Sequence, residues 1–382
     1  MQTVRRLVGW AVRALVGPAV LLTVYPSNRL PAQDSQFGIR GLGTPGRWES
    51  VRTRSTAGAF GPFDALSPLA EAPLADVGHL AAAAMAGASY RDVDPAGGGG
   101  GTTSALRETR FPLLILAGQP TRRLALASGF TTYLDRTWSV TTRDSVVLRD
   151  SLQRYTDVTT SDGSVADLRL AAATRLSSHV ALGAALHLLA GSTRITATRR
   201  FDDTTYQLIT QTDVVRYDGF GVSASALVGL APGLTLAAWA RSDNRLRAKV
   251  GAVTTAETDL PRMAGGGIRY APSPSVRLAA SGAWRFWSRS GAVAGSFDTF
   301  SWSAGAEVGG GFSPLRFGAR GGQMPFGPGT TAPTEFAVAA GTGRAFSQGR
   351  ALLDFGLERL ERKGGGLTER VWTLLIGMTI RP

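Results

Sequence analysis

Residues able to do chemistry are few in this chain. Three histidines occur, His79, His179 and His187. A serine hydroxyl beside a histidine is the minimum for nucleophilic hydrolysis, and His187 with Ser192 or Ser223 is the nearest approach to one. No Gly-x-Ser-x-Gly elbow, His-Glu-x-x-His pair, P-loop or dinucleotide fingerprint accompanies it, so His187 reads as a polar lining residue. Cysteine is absent, which removes thiolate metal sites, cysteine nucleophiles, disulfides and a lipoprotein anchor. The acids Asp92, Asp94, Asp202 and Asp203 fall in polar stretches, where solvated loop carboxylates outnumber calcium ligands. Gly97 to Gly101 has no lysine or helix start after it and reads as a loop rather than a phosphate cradle. The expectation is a non-enzyme that needs no cofactor and no metal.

A larger set of charged residues shares one pattern. Asp167, Arg169, Arg241, Arg277, Arg285, Glu307, Arg316, Arg320, Asp354 and Glu358, with His187, sit on the polar parity of alternating segments. Val180, Leu182, Ala184, Leu186 and Leu188 alternate with Ala181, Gly183, Ala185 and His187. The same holds for Phe220–Val228, Val276–Phe286 and Trp372–Ile380. Period two puts successive side chains on opposite faces of a strand. One face is apolar and the other small, polar or charged, and segments of about ten residues are long enough to cross a bilayer when tilted. Phe220, Trp284, Phe300, Phe336 and Trp372 lie toward segment ends, where aromatic girdles form. The charged row then faces a lumen, as mutually paired charges or as a polar gate on a ligand path.

Connections alternate in length. Short links occur at Gln119–Arg122, Leu176–His179, Ala231–Gly233, Pro272–Ser275, Gly310–Pro314 and Ser347–Gly349. Longer polar stretches lie at 91–107, 139–162, 197–213, 247–260, 289–297, 321–333 and 362–367. Short periplasmic turns and long outer loops are a barrel signature. The expected fold is all-β, a transmembrane antiparallel β-barrel of about 14 strands over 77–382, in a bacterial outer membrane.

Residues 1–32 carry Arg5, Arg6 and Arg13, the apolar run Val16–Val24, and Leu30-Pro31-Ala32, which reads as a signal peptide cleaved after Ala32. Its loss removes four arginines and no acids, taking the net charge from +13 to +9. Only Lys249 and Lys363 are lysines, and the arginines are scattered rather than gathered in a patch. That argues against nucleic acid and places some arginines against anionic headgroups at the rims.

Residues 33–76 stand apart. Gln36–Gly43 suggests a short strand, and Gly61–Leu74 reads as helical turns broken by proline. A barrel of this size has a lumen that needs filling, so the segment is expected to enter it as a hatch. The order of signal peptide, glycine-rich Gly38-Ile39-Arg40-Gly41-Leu42-Gly43, proline-containing helical segment and about fourteen strands resembles the FadL family of hydrophobic-compound transporters. That family carries Asn-Pro-Ala in its hatch; here Ser67-Pro68-Leu69-Ala70, with Asp64 just before it, stands at the comparable place. Its members usually end in an aromatic residue, whereas this chain reads Ile380-Arg381-Pro382. The resemblance implies passive uptake of fatty-acid-like or aromatic ligands, with the bilayer, lipopolysaccharide and the outer-membrane assembly machinery as partners. A non-transporting barrel that docks other proteins, as PorV-like barrels do, and a general diffusion porin are the alternatives.

Overall fold

The computed structural model describes residues 35–39, 41–78, 80–95, 106–290, 295–309, 313–327 and 330–381. The expected signal peptide, His79, Arg40 and Gly97–Gly101 lie outside them. In chain order the strands are β1 (Thr44–Pro45), β2 (Leu80–Pro95), β3 (Leu106–Thr121), β4 (Leu124–Asp135), β5 (Trp138–Leu148), β6 (Ser151–Arg175), β7 (Val180–Phe201), β8 (Ile209–Ala231) and β9 (Leu234–Asp243). They continue with β10 (Arg245–Val250), β11 (Val253–Asp259), β12 (Arg262–Ser273), β13 (Val276–Phe286), β14 (Thr299–Val308), β15 (Leu315–Gln323), β16 (Thr334–Phe346), β17 (Ala351–Gly364) and β18 (Leu367–Ile380). Every pairing is antiparallel. The last strand returns to the first long one, from Leu367↔Pro95 to Ile380↔Ala82, and closes the wall. β4 and β5 both run along β6, β9 and β10 both along β8, and β11 and β12 form one stave broken at Leu260–Pro261. Counted as staves, the strands of the closed wall number fourteen among the described residues.

Closure follows from the alternation. Leu114, Leu116, Leu170, Leu186, Trp284, Phe317, Phe336 and Trp372 point outward and are exposed. A continuous apolar outer face of this extent is stable only against lipid. The inner face of the same strands carries Ala117, Ala125, Ala127, Ala171, Ala173, Ala181, Ala185, Ala237 and Ala279, all buried. Small side chains there make room for the segment before β2. Phe60, Phe63, Leu66 and Leu74 of that segment pack onto this alanine surface as one cluster. Gly183 marks the closest approach, since a Cβ there would stand 2.5 Å from the Glu71 Cβ and 2.6 Å from the Ala72 nitrogen.

The hatch contains a one-turn helix, Val51–Arg54, capped by Ser50, whose side chain accepts the Thr53 N–H. Two 3-10 turns follow, Gly61–Phe63 and Ala72–Asp76, each with proline in its first turn, where a missing N–H costs nothing. The strand expected at Gln36–Gly43 is instead a 3-10 turn at Gln36–Gly38, and pairing is confined to Thr44–Pro45.

Several expected loops are strands. Much of 139–162, 197–213 and 247–260 extends the ladders of β5 to β8, β10 and β11 past the apolar band, and 362–367 contains only a two-residue turn. Both faces meet water there, so the hydrophobic alternation stops while threonine and valine keep the backbone extended. Asp92 and Asp94 consequently lie in β2, and Asp94 accepts Arg370 Nη1 at 2.6 Å across the sheet. The first barrel strand runs from Leu80 to Pro95.

Candidate functional site: the hatch and the wall around it

The hatch is first tied to itself. Asp64 accepts Ser50 Oγ at 2.5 Å, Thr53 Oγ1 at 3.1 Å and Ser67 Oγ at 3.1 Å, and all four residues are buried. Ser67 also accepts the Ser50 N–H at 2.9 Å. A carboxylate that collects three hydroxyls is satisfied without water and fixes the turn through Pro68 and Leu69. Ala70 is buried, and its carbonyl accepts Arg169 Nη2 at 3.4 Å.

One flank of the hatch meets β6–β9 through a buried network. Glu71 pairs with Arg169 at 3.2 Å and accepts Ser223 Oγ at 2.7 Å and Ser225 Oγ at 2.8 Å. The Ser225 oxygen in turn accepts the N–H groups of Glu71 and Ala72 at 2.7 and 2.8 Å. His187 bonds Ser223 through Nε2 at 2.8 Å and Asp167 through Nδ1 at 2.9 Å. Asp167 also accepts Arg241 Nη1 at 2.6 Å. Arg241 donates to Asp243 at 2.9 Å, and Asp243 accepts the Tyr133 hydroxyl at 2.8 Å. The Arg241 guanidinium lies 4.9 Å from the ring centres of both Trp48 and Tyr133.

Ser223, His187 and Asp167 therefore have the connectivity of a hydrolytic triad. Ser192 plays no part, since it faces outward. The arrangement is unsuited to acyl transfer. The Ser223 hydroxyl is held by the Glu71 carboxylate, and a carboxylate there would repel the oxyanion that attack creates, where catalysis needs donors.

The other flank meets β13–β17 with the signs reversed. Arg52 donates to Glu307 at 2.9 Å, and Arg54 to Glu358 at 3.1 Å. Arg277 and Arg316 reach Glu307 at 2.7 and 2.8 Å, and Arg316 continues to Asp354 at 2.5 Å. Arg320 bridges Glu358 at 3.1 Å and also meets Glu335. Arg285 lies beside Arg47 and Trp48 in a cavity of about 140 Å³ on the loop side of the hatch. On the turn side, a cavity of about 810 Å³ opens below Phe63, Leu66 and Pro73. The hatch stands between the two. The structure thus brings the eleven charged or polar residues singled out from sequence onto the inner wall. Glu71, Arg52, Arg54, Tyr133, Asp243 and Ser225 are members that sequence reasoning missed. For Glu71 the available signal was a lone glutamate in an apolar, proline-broken stretch.

The wall is parted between β3 and β4. β3 and β4 pair from Leu113↔Thr131 down to Thr121↔Leu124, and no further. Above that point β3 pairs, among the described residues, only with β2, while β4 continues along β6. The break coincides with Pro112, which has no N–H for the ladder. It also coincides with a bulge at Tyr133, skipped between Thr132↔Ala166 and Leu134↔Val165. Hatch residues take the vacant edge: Thr44 pairs with Asp135, Pro45 with Leu134, and Gly46 N–H donates to the Tyr133 carbonyl at 2.8 Å. Only glycine fits at 46, because a Cβ would stand 1.8 Å from the Thr132 oxygen.

Among the described residues no group of three candidate metal ligands converges. Asp203 caps the 202–208 turn by accepting the Thr205 N–H at 2.9 Å and its hydroxyl at 2.8 Å. These two bonds hold its carboxyl below the ordinary carboxylate range. His179 lies in the β6–β7 turn against Ser178 at 2.9 Å.

No family model and no curated protein matches the chain. Solved structures do match. A FadL homologue from Pseudomonas aeruginosa is 12% identical with a TM-score of 0.62, covering 88% of this chain and 99% of its own. The toluene transporter TbuX of Ralstonia pickettii is 15% identical at 0.57, covering 90% and 99%. The CymD monoaromatic hydrocarbon channel is 14% identical at 0.56, covering 89% and 98%. At these identities the likeness is one of fold.

Proposed function

We propose that the protein is a bacterial outer-membrane channel for passive uptake of hydrophobic small molecules, fatty-acid-like or aromatic. The observation that carries this reading is the parted β3–β4 seam, closed by a piece of hatch rather than by wall. An apolar solute needs no water-filled bore; it gains by leaving sideways into lipid. The seam supplies a lateral exit, and moving three residues of hatch, Thr44–Gly46, would unseal it. An apolar recess of about 900 Å³ lies on the outer face toward the β3–β4 turn, where the two strands are paired, lined by exposed Leu116, Leu126, Leu170, Leu186 and Val222. A general porin would require an open axial bore with opposed charges, and the hatch occupies that position. Neighbours described as toluene and monoaromatic hydrocarbon channels make aromatic hydrocarbons the first solutes to test. Lipopolysaccharide and the outer-membrane assembly machinery are proposed partners on the same reading.

The absence of native cysteine permits a direct test. In a Thr44→Cys/Asp135→Cys variant, the two register partners are joined by oxidation. Labelled toluene uptake into cells should fall to background when the pair is oxidised and return with reductant. Uptake indifferent to the crosslink would sink the lateral route. No uptake even in the parent would favour the docking barrel.

A further inference from the structure

The part of the sheet that rises beyond the apolar band has two unlike faces. On its inner face, Arg199 meets Asp157 at 2.7 Å and lies 4.0 Å from the Tyr155 ring centre. On its outer face stand Arg143 of β5, Arg154 of β6, Arg194 and Arg200 of β7, and Arg216 of β8. All five are exposed. They share one face by register: Arg143↔Thr156 and Thr156↔Arg200 form one cross-strand row, with Arg154 two residues along β6 from Thr156. Arg194 and Arg216 sit lower on β7 and β8, near each other through Ser192↔Arg216 and Arg194↔Val214. None of the five guanidiniums has a hydrogen bond or ion pair among the described residues. Carboxylates are within reach of the same face, Asp162 opposite Arg194 and Asp202 at the strand end beside Arg154, yet neither pairs with them. The adjoining β10 differs: Arg245, Arg247 and Lys249 meet Asp259, Glu257 and Asp218 at 2.9, 3.5 and 2.6 Å.

We propose that this outward arginine face of β5–β8 docks the phosphorylated headgroup of an outer-leaflet glycolipid, lipopolysaccharide. The proposal rests on the outer-membrane reading of the barrel but not on transport. Placement argues for a lipid rather than a soluble anion. The arginines continue the very face that carries Leu168, Leu188 and Phe220 against acyl chains. Arg194 is six residues beyond Leu188 and Arg216 four before Phe220, about 20 and 13 Å along the strands, which is headgroup height once tilt is allowed for. Arg143, Arg154 and Arg200 stand higher, level with the sugar core. Guanidinium binds phosphate through paired, charge-assisted N–H bonds, and unpaired forks on neighbouring strands can share one group.

The test uses the full mature chain folded in detergent. Binding of bis-phosphorylated lipopolysaccharide is compared with the same lipid stripped of phosphate, by native mass spectrometry and by titration. The parent should bind the phosphorylated form at least tenfold more tightly. Arg143→Gln/Arg154→Gln/Arg194→Gln/Arg200→Gln/Arg216→Gln should lose that preference, while Arg245→Gln/Arg247→Gln/Lys249→Gln should keep it. Heat-modified gel mobility reports folding of each variant, and exposed positions should leave it unchanged. Equal binding of both lipids, or an unchanged preference in the five-site variant, overturns the proposal. So does equal competition by inorganic phosphate, which would show a site for a soluble anion. Toluene uptake is read on the same proteins: its failure in the parent removes the transport reading and leaves the headgroup result standing.

Discussion

The hatch meets the wall in two ways, and the contrast gives it a direction of movement. Toward β6–β9 and β13–β17 its charged side chains enter buried networks, with Glu71 on one flank and Arg52 and Arg54 on the other. Toward β3–β4 it offers no ion pair among the described residues, only a two-residue strand, one glycine N–H and apolar contacts such as Trp48 stacked on Tyr133. Breaking a buried ion pair leaves an unpaired charge in a dry site and costs about 3–5 kcal/mol. A backbone hydrogen bond at an edge is worth about 1 kcal/mol net. A thermal or ligand-driven opening therefore starts at Thr44–Gly46 and leaves the Glu71 anchor seated.

The largest effect is expected from Glu71→Ala. It strands buried Arg169 and removes the acceptor of Ser223 and Ser225, so unfolding by urea should come earlier by about 3 kcal/mol. Glu71→Gln, whose amide oxygen keeps an acceptor for one of the two hydroxyls, should lose less. If both variants unfold like the parent, the supposed anchor is no stronger than the seam. Next is Gly46→Ala, whose methyl clashes with the Thr132 carbonyl and should cost about 1–3 kcal/mol. Its distinguishing readout is leak: small apolar solutes should cross faster than in the parent, whereas Glu71→Ala should show leak only where it also unfolds. Pro112→Ala works in the opposite sense. It restores a ladder donor to β3, adds about 1 kcal/mol, and should slow uptake by letting β3 and β4 pair further. Faster uptake would show that proline does not hold the seam apart.

The smallest effect lies outside the barrel. The carboxyl of Asp203 is held below its usual range by Thr205, so the turn gains stability that is complete above the unfolded value. That stability is lost as pH falls through the folded one, below about pH 4. Hydrogen exchange at the Thr205 amide should accelerate there, and Asp203→Asn should remove the pH dependence without altering uptake. A change in uptake would couple the outer loops to the seam.

How much of this the sequence carried can be traced in particular residues. Strand alternation placed Asp167, His187 and Arg241 on one face, because period two is a property of the extended backbone and needs no partner. It failed at Thr141, Thr156, Thr196 and Thr212, where both faces are wet and polarity no longer reports the strand. It missed Glu71, because a glutamate in a proline-broken apolar stretch looks the same whether it is solvated or buried against Arg169. Pro112 was passed over, because a proline inside a strand does not say which neighbour it detaches; that depends on pairing across the wall.

The sequence alone determined the alternating faces, a stave count of about fourteen and the separate character of the segment before β2, since each follows from local periodicity and composition. Only the tertiary structure decided which charges meet, that Ser223 is held by Glu71 and so withheld from hydrolysis, and that Thr44–Gly46 fills the β3–β4 seam. Those outcomes depend on contacts between residues far apart in the chain, some more than 150 positions, and they are fixed only when the barrel closes around the hatch.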